Sequence, residues 1–246
     1  MDIGLQERTV IVTGASGGVG RRIATAFGAE GANVVVTYRN ARDEAQKVAD
    51  EIGDRAVVVQ HDQADPAAAE ALVAAAVEAT GRVDVLVNNA VAWGDMVPFD
   101  TVPDEEWTAL VRSNIEGAIR LTRAVTPLMR AAGWGRLVHL SSSLVTDGVA
   151  GAEYYTAAKA ALHGFSRSVA FSLGRDGDLL SNVALLGLTR TATNTHIVEQ
   201  VGHMYEERSP LGRLVDASEV ATAVVWLGSA ANTAINGQVI GVTGGA

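Results

Sequence analysis

Short runs of β-branched and aliphatic residues alternate along this chain with longer stretches whose apolar positions recur every three to four residues. The runs are Thr9–Thr13, Asn33–Thr37, Ala56–Gln60, Val83–Asn88, Arg136–Ser141, Ser181–Leu185 and Gln238–Val242. Several are apolar at nearly every position, the pattern of strands covered on both faces. Helical spacing falls in Gly18–Ala29, Ala41–Ile52, Pro66–Thr80, Pro103–Ala132, Tyr154–Leu173 and Ala217–Leu227. The alternation predicts right-handed βαβ units and an α/β architecture: one doubly wound parallel sheet of seven strands with helices on both faces. No Pro- or Ser-rich linker interrupts it, so a single domain over residues 1–246 is expected. The one irregular stretch is Thr189–Arg213. Ile197, Val201, Met204 and Tyr205 fall near one helical face there, and the segment is expected to be a substrate lid; an ordinary surface helix is the plainer alternative.

Composition narrows the class. The chain has 246 residues, 48% hydrophobic and 19% charged, enough apolar residues for a substantial core. Its net charge of −9 repels phosphate backbones and speaks against nucleic-acid binding. With no cysteine, there is no disulfide scaffold, thiolate metal site or cysteine nucleophile. The segment MDIGLQERTV has no basic n-region or long apolar stretch. Val220–Ala246 is uncharged, but Ser229, Asn232, Thr233, Asn236, Gly237 and Gln238 interrupt it, unlike a membrane span. A soluble, cytoplasmic protein is expected. The histidines are His61, His139, His163, His196 and His203; none has metal-protease spacing, so no metal site is expected.

Gly is 26 of the 246 residues, above the usual share of roughly 7%. A cluster stands where it matters. Val10-Ile11-Val12 runs into Thr13-Gly14-Ala15-Ser16-Gly17-Gly18-Val19-Gly20, and Arg21-Arg22-Ile23-Ala24 opens a helix. Glycines let backbone approach a pyrophosphate, and the helix N-terminus offers free N–H groups and a positive dipole end. The spacing is G-x-x-x-G-x-G. A tight strand-to-helix turn without ligand would use glycine too, but its place after the first strand favours nucleotide binding.

Tyr154-Tyr155-Thr156-Ala157-Ala158-Lys159 begins a helix. Residues four apart share a face, and residues five apart diverge by about 140°. Lys159 therefore sits beside Tyr155, not Tyr154. A nearby cation favours phenolate, so the pair is a credible proton donor and acceptor. The plainer alternative is a buried Tyr with a Lys reaching solvent. Two features weigh against it. Ser141-Ser142-Ser143 ends the fifth strand and Asn88-Asn89-Ala90 the fourth, both on the strand C-terminal rim where α/β sheets bind ligands.

In these residues the chain resembles the short-chain dehydrogenase/reductase family over essentially its whole length. Thr13-Gly14-x-x-x-Gly18-x-Gly20 matches that family's cofactor motif, Asn88-Asn89-Ala90 its strand-four motif, and Asn114 the asparagine of its catalytic tetrad. Ser142 and Tyr155-x-x-x-Lys159 match the other members, and Pro210-Leu211-Gly212-Arg213 with Gly237-Gln238 and Thr243-Gly244-Gly245 the C-terminal region. The resemblance implies a Rossmann fold and a catalytic set of Asn114, Ser142, Tyr155 and Lys159. Tyr155 would protonate the substrate carbonyl, Ser142 would position it, and Lys159 would bind the nicotinamide ribose and lower the Tyr155 pKa. Asn114 would hold a water linking Lys159 to solvent. The implied cofactor site comprises Gly14, Ser16, Gly17, Gly18, Val19, Gly20, Thr37, Arg39, Asp62, Gln63, Asn89, Ala90, Tyr155, Lys159, Gly187 and Thr189. Two positions depart from the pattern: Val91 stands where the family usually has Gly, and Leu186 where it usually has Pro. Both border the nicotinamide half and put the substrate floor in question.

The resemblance points to an NADPH-dependent ketoreductase of the 3-oxoacyl-thioester or polyketide type. Its substrate would be a small-molecule carbonyl, free or carried on acyl carrier protein or coenzyme A. A dehydrogenase of alcohols, sugars or steroids, and a dinucleotide-binding regulator without turnover, are the alternatives. NADPH is expected over NADH because Val36-Thr37-Tyr38-Arg39-Asn40 has no carboxylate for a ribose diol, whereas Arg39 suits a phosphate, with Arg21 and Arg22 adding positive charge. Specificity is expected in Val91–Val97, Leu144–Glu153 and the lid. A homotetramer is expected, paired through the Ala-rich helix Tyr154–Leu173 and the C-terminal segment.

Overall fold

A computed structural model describes residues 2–245; Met1 and Ala246, the ends of the expected domain, lie outside that range. Seven strands form one sheet: β1 (Thr9–Val12), β2 (Asn33–Tyr38), β3 (Ala56–Gln60), β4 (Val85–Asn88), β5 (Trp134–Ser142), β6 (Asp178–Leu186) and, last in sequence, β9 (Val239–Val242). Their order is β3-β2-β1-β4-β5-β6-β9, and every pairing is parallel. The order reverses between β1 and β4, which opens a crevice at their C-terminal ends. Two further short strands, β7 (Thr189–Arg190) and β8 (Val215–Asp216), pair with each other.

Alternate strand side chains go to opposite layers. Val10, Val12, Val34, Val36, Val85 and Val87 pack with Phe27 of α1 (Gly18–Ala29), Val48 of α2 (Arg42–Ile52) and Val224 of α9 (Ala217–Leu227). Ile11, Val35 and Leu86 face the other way, onto Leu72 of α3 (Ala68–Thr80) and Val125 of α5 (Gly117–Ala132). This two-sided burial is why the strands carry no polar alternation. α9 begins with a reciprocal cap, the Asp216 side chain on the Glu219 N–H and the Glu219 side chain on the Asp216 N–H.

The expected helix Pro103–Ala132 is α4 (Asp104–Val111) and α5, joined by a π-helical turn over Arg112–Glu116. The sequence period gives no sign of the inserted residue; the turn carries Asn114 into the interior. A short helix, α6 (Leu144–Asp147), follows β5 and precedes α7 (Glu153–Leu173). The irregular stretch contains α8 (Thr195–Arg208), of which only Gly202 is buried. No helix among the described residues is long and apolar enough to cross a membrane.

Candidate active site

β1 delivers the chain to Gly14, which takes φ +62°, a left-handed conformation favourable only for glycine. Three side chains brace the turn from beneath. Thr13 Oγ1 accepts from the N–H groups of Asn89 and Ala90, both at 2.9 Å. Asn89 Nδ2 donates to Thr13 O at 2.7 Å and Gly14 O at 3.2 Å. Thr37 Oγ1 accepts from the Gly14 N–H at 3.0 Å. A Cβ on Gly20 would run into Gly14 O and the Asn89 amide, so α1 can approach the turn this closely only without one. Gly17 caps α1 without a side-chain bond, and the first turn carries no acid. The positive end of the helix is thus unsatisfied by protein and fits a pyrophosphate. Thr193 crosses in front, close to where Cβ atoms on Gly17 and Gly18 would lie.

Several expected cofactor contacts turn out to be braces. Thr37 is buried at 1% exposure beneath the turn, so its side chain does not line the crevice as expected; strand alternation aims it at Gly14. Asn89 spends its amide on the turn, and Gln63 Nε2 bridges Ala90 O (3.3 Å) to Ser113 Oγ (3.4 Å). Asp62 is exposed and accepts from the Ala64 N–H. Arg39 is exposed at the end of β2, whereas Arg21 is tied to Glu51 of α2 at 3.0 Å. Thr189 bonds Gly187 O at 3.1 Å, and its own carbonyl accepts from Asn194.

On the facing side, Tyr155 and Lys159 lie one turn apart on the buried face of α7, with 9% and 3% exposure. Tyr154 points elsewhere: its hydroxyl donates to Phe99 O at 2.8 Å and its ring stacks on Trp107. Lys159 Nζ donates to Leu140 O at 3.0 Å, and its burial brings its pKa down to about 8. Burial pushes the Tyr155 phenol up, with the Ser142 hydroxyl opposing. In the protein alone, burial of the phenol outweighs the expected lowering by Lys159. The ammonium stands 5.9 Å from the ring centroid and its own charge is penalised by burial, so desolvation of the phenolate wins. Ser142 ends β5, and its hydroxyl accepts from the Leu144 N–H. Ser141 points back into α7, onto Lys159 O and His163.

Asn114 clamps the loop after β4. Its Nδ2 donates to Ala92 O (2.7 Å) and Leu110 O (3.1 Å), and its Oδ1 accepts from the Ala92 N–H (3.1 Å). Both side-chain N–H groups are spent, so a water on the way to Lys159 would fall to its main chain. The clamp fixes the residue next to Trp93, whose ring lies 4.1 Å from that of Tyr155, tilted by 59°. Trp93 was visible in the sequence only as one residue of a loop without a code. Val91 is 54% exposed and meets no crowding. Leu186 continues β6 opposite Ser142 and Val242, and its carbonyl accepts from the Ser143 N–H at 2.7 Å.

A glycine turn at the sheet's reversal point, faced by a buried Tyr–Lys pair, is the arrangement of dinucleotide-dependent oxidoreductases. The comparisons with known proteins agree. The profile of a family described as enoyl-(acyl carrier protein) reductase matches residues 14–246. The 3-oxoacyl-(acyl-carrier-protein) reductase FabG of Escherichia coli is 34% identical over 97% of this chain and 96% of its own length. The L-rhamnose 1-dehydrogenase (NAD(P)(+)) of a Sphingomonas species is 35% identical over 98% and 96%. The crystal structure of a putative short-chain alcohol dehydrogenase from Sinorhizobium meliloti superposes with a TM-score of 0.92 at 30% identity, covering 100% of this chain and 98% of that one. The chain belongs to the short-chain dehydrogenase/reductase family and is an NAD(P)-binding oxidoreductase.

Proposed function

We propose that the chain is a cytoplasmic NADPH-dependent ketoreductase that converts a ketone to a secondary alcohol. The observation that carries this reading is the Tyr155–Lys159 pair, buried on one face of α7 against the end of β5 and across from the glycine turn. The turn residues Gly14 and Ser16 to Gly20, with Arg39, Asp62, Ala90, Gly187 and Thr189 around them, would hold the dinucleotide. Bound NADPH supplies the hydride. Tyr155, kept protonated by burial, gives its phenolic proton to the carbonyl oxygen. Ser142 orients that oxygen by a hydrogen bond, and Lys159 restores the phenol's proton. Asn114 holds the mouth loop in register through Ala92.

The rim supports reduction of a carbonyl on an apolar body rather than oxidation of a sugar. Val91, Trp93, Met96 and Val97 are exposed around the mouth, apolar surface that an apolar substrate body would cover. α8, with Thr193 before it, acts as the lid. It is held by few contacts: Arg190 on Glu206 at 3.0 Å and Arg208 on Asp147 at 3.7 Å. Arg39 reads the 2′-phosphate, a charge-assisted contact worth roughly 1.5–3 kcal/mol, or about ten- to a hundredfold in affinity. Arg39→Ala should weaken NADPH by that factor and leave NADH nearly unchanged. The exposed Phe171 of α7, Trp226 of α9 and Val239 of β9 support a homotetramer built through these elements.

The test is a screen of ketones and acyl thioesters by loss of NADPH absorbance, with NADH in parallel. Turnover of ketones with a higher kcat/KM for NADPH is expected. Binding of NADPH without turnover of any carbonyl would favour the regulator, and equal kcat/KM with NADH would remove Arg39 from the argument.

A further inference from the structure

Next to the catalytic pair, the mouth ends in a recess walled by Trp93, Trp107, Tyr154 and Tyr155. Trp107 lies flat on Tyr154, their centroids 5.5 Å and their planes 16° apart. The Tyr154 hydroxyl is spent on Phe99 O and Trp107 Nε1 on Asp104, so these rings offer the recess π surface and not donors. Two exposed carboxylates, Asp95 and Glu106, line the same recess. No Lys, Arg or His occurs between Arg82 and Arg112, and Arg112 is drawn to Glu116 at 3.8 Å. From the lid, Arg208 is paired with Asp147, and the exposed His196 and His203 share α8 with Glu199, Glu206 and Glu207.

Aromatic faces attract cations, and a carboxylate beside them adds to the attraction. The same carboxylates repel the phosphates of coenzyme A or of a phosphopantetheine arm. We infer that this recess receives the ammonium group of an amino ketone whose carbonyl is reduced at Tyr155. The inference rests on the ketone-reduction reading and names its substrate class. Trp93 lies against the Tyr155 ring at 4.1 Å, so a substrate that reaches the phenol parts the two rings, and its cation takes the ring face that Trp93 had covered.

A matched pair of ketones tests this. 1-Methylpiperidin-4-one and 4-methylcyclohexanone share ring size and carbonyl, and the first carries a positive charge at neutral pH. The holoenzyme should show a kcat/KM about tenfold higher for the amine, expressed mainly in KM. Glu106→Gln, isosteric and on the surface, should shrink that ratio, and added salt should shrink it too. Equal or better turnover of 4-methylcyclohexanone would overturn the inference while leaving the ketone-reduction reading intact. Calorimetry on the NADP⁺-loaded protein, where no hydride is available, covers the case in which neither ketone turns over. Binding of the amine alone, weakened by Glu106→Gln, supports the recess as an ammonium site even then. Equal binding of both ketones, or of neither, overturns it.

Discussion

The two halves of the cleft are built by different means. On the cofactor side, the glycine turn is fastened from below by Thr13, Thr37 and Asn89, all through backbone atoms. On the substrate side, the segment from Val91 to Pro103 is held by the Asn114 clamp and by Tyr154 on Phe99, while Trp93, Met96 and Phe99 remain more than half exposed. A pyrophosphate is the same in every relative, so its cradle can be made of main chain and buried polar anchors. A substrate differs between relatives, and its walls are side chains on a loop with few ties. Substitution is therefore costly in different ways: beneath the turn it strikes the fold, and along the mouth it changes what is bound.

Substitutions on each side test whether the halves are separable. The largest effect is expected at the meeting point of the halves. Tyr155→Phe keeps the ring against Trp93 but removes the transferable proton, and should cost roughly 10²- to 10⁴-fold in kcat. NADPH affinity, measured by titration, should stay within a fewfold; comparable loss of both would mean the halves are not separable there.

Acid should loosen both halves together through the sheet beneath them. His139 is fully buried in β5, with Asn88 Nδ2 at 3.1 Å from its Nδ1 and Ser181 near its Nε2, and burial lowers its pKa from 6.5 to about 4. The unfolded chain binds a proton below pH 6.5 and the folded one does not, so stability falls as pH drops from 6.5 towards 4. The shift corresponds to about 3 kcal/mol. His61, also lowered by burial, acts in the same direction. Denaturant melts across that window should show the loss, and a flat profile would place a compensating partner on His139.

Gly20→Ala should cost about 1–3 kcal/mol of stability by overpacking α1 against the turn. It should also weaken NADPH, whereas Trp93→Ala should alter substrate KM and leave NADPH affinity alone. Matching effects of the two on cofactor binding would erase the contrast. Tyr154→Phe is the mildest, removing one half-exposed hydrogen bond worth about 0.5–1.5 kcal/mol. It should move substrate KM by a fewfold with kcat intact.

These unequal constructions explain how much the sequence disclosed. The seven strands, their order of appearance and the glycine turn between β1 and α1 were legible because burial on two faces and a left-handed, closely approached turn each demand particular residue types. The pairing of Lys159 with Tyr155 rather than Tyr154 follows from helix geometry alone. The bracing roles of Thr37 and Asn89 were not legible, since a side chain facing the ligand and one facing the turn beneath it look alike in sequence. The π-helical turn at Arg112–Glu116 left no mark because the flanking helices keep their apolar faces. Trp93 was hidden because its position depends on a loop tied down by side chains distant in sequence, Asn114 and Tyr154.

The contact between Trp93 and Tyr155 has an optical consequence. Of the four tryptophans, Trp134 packs against the guanidinium groups of Arg8 and Arg136, and Trp226 stands on the outer side of α9, but Trp93 and Trp107 both face the mouth. At 4.1 Å the excited states of Trp93 and Tyr155 are coupled. Any ligand that parts the two rings must change the indole emission before hydride moves, so stopped-flow fluorescence times the filling of the mouth and nicotinamide absorbance times the chemistry.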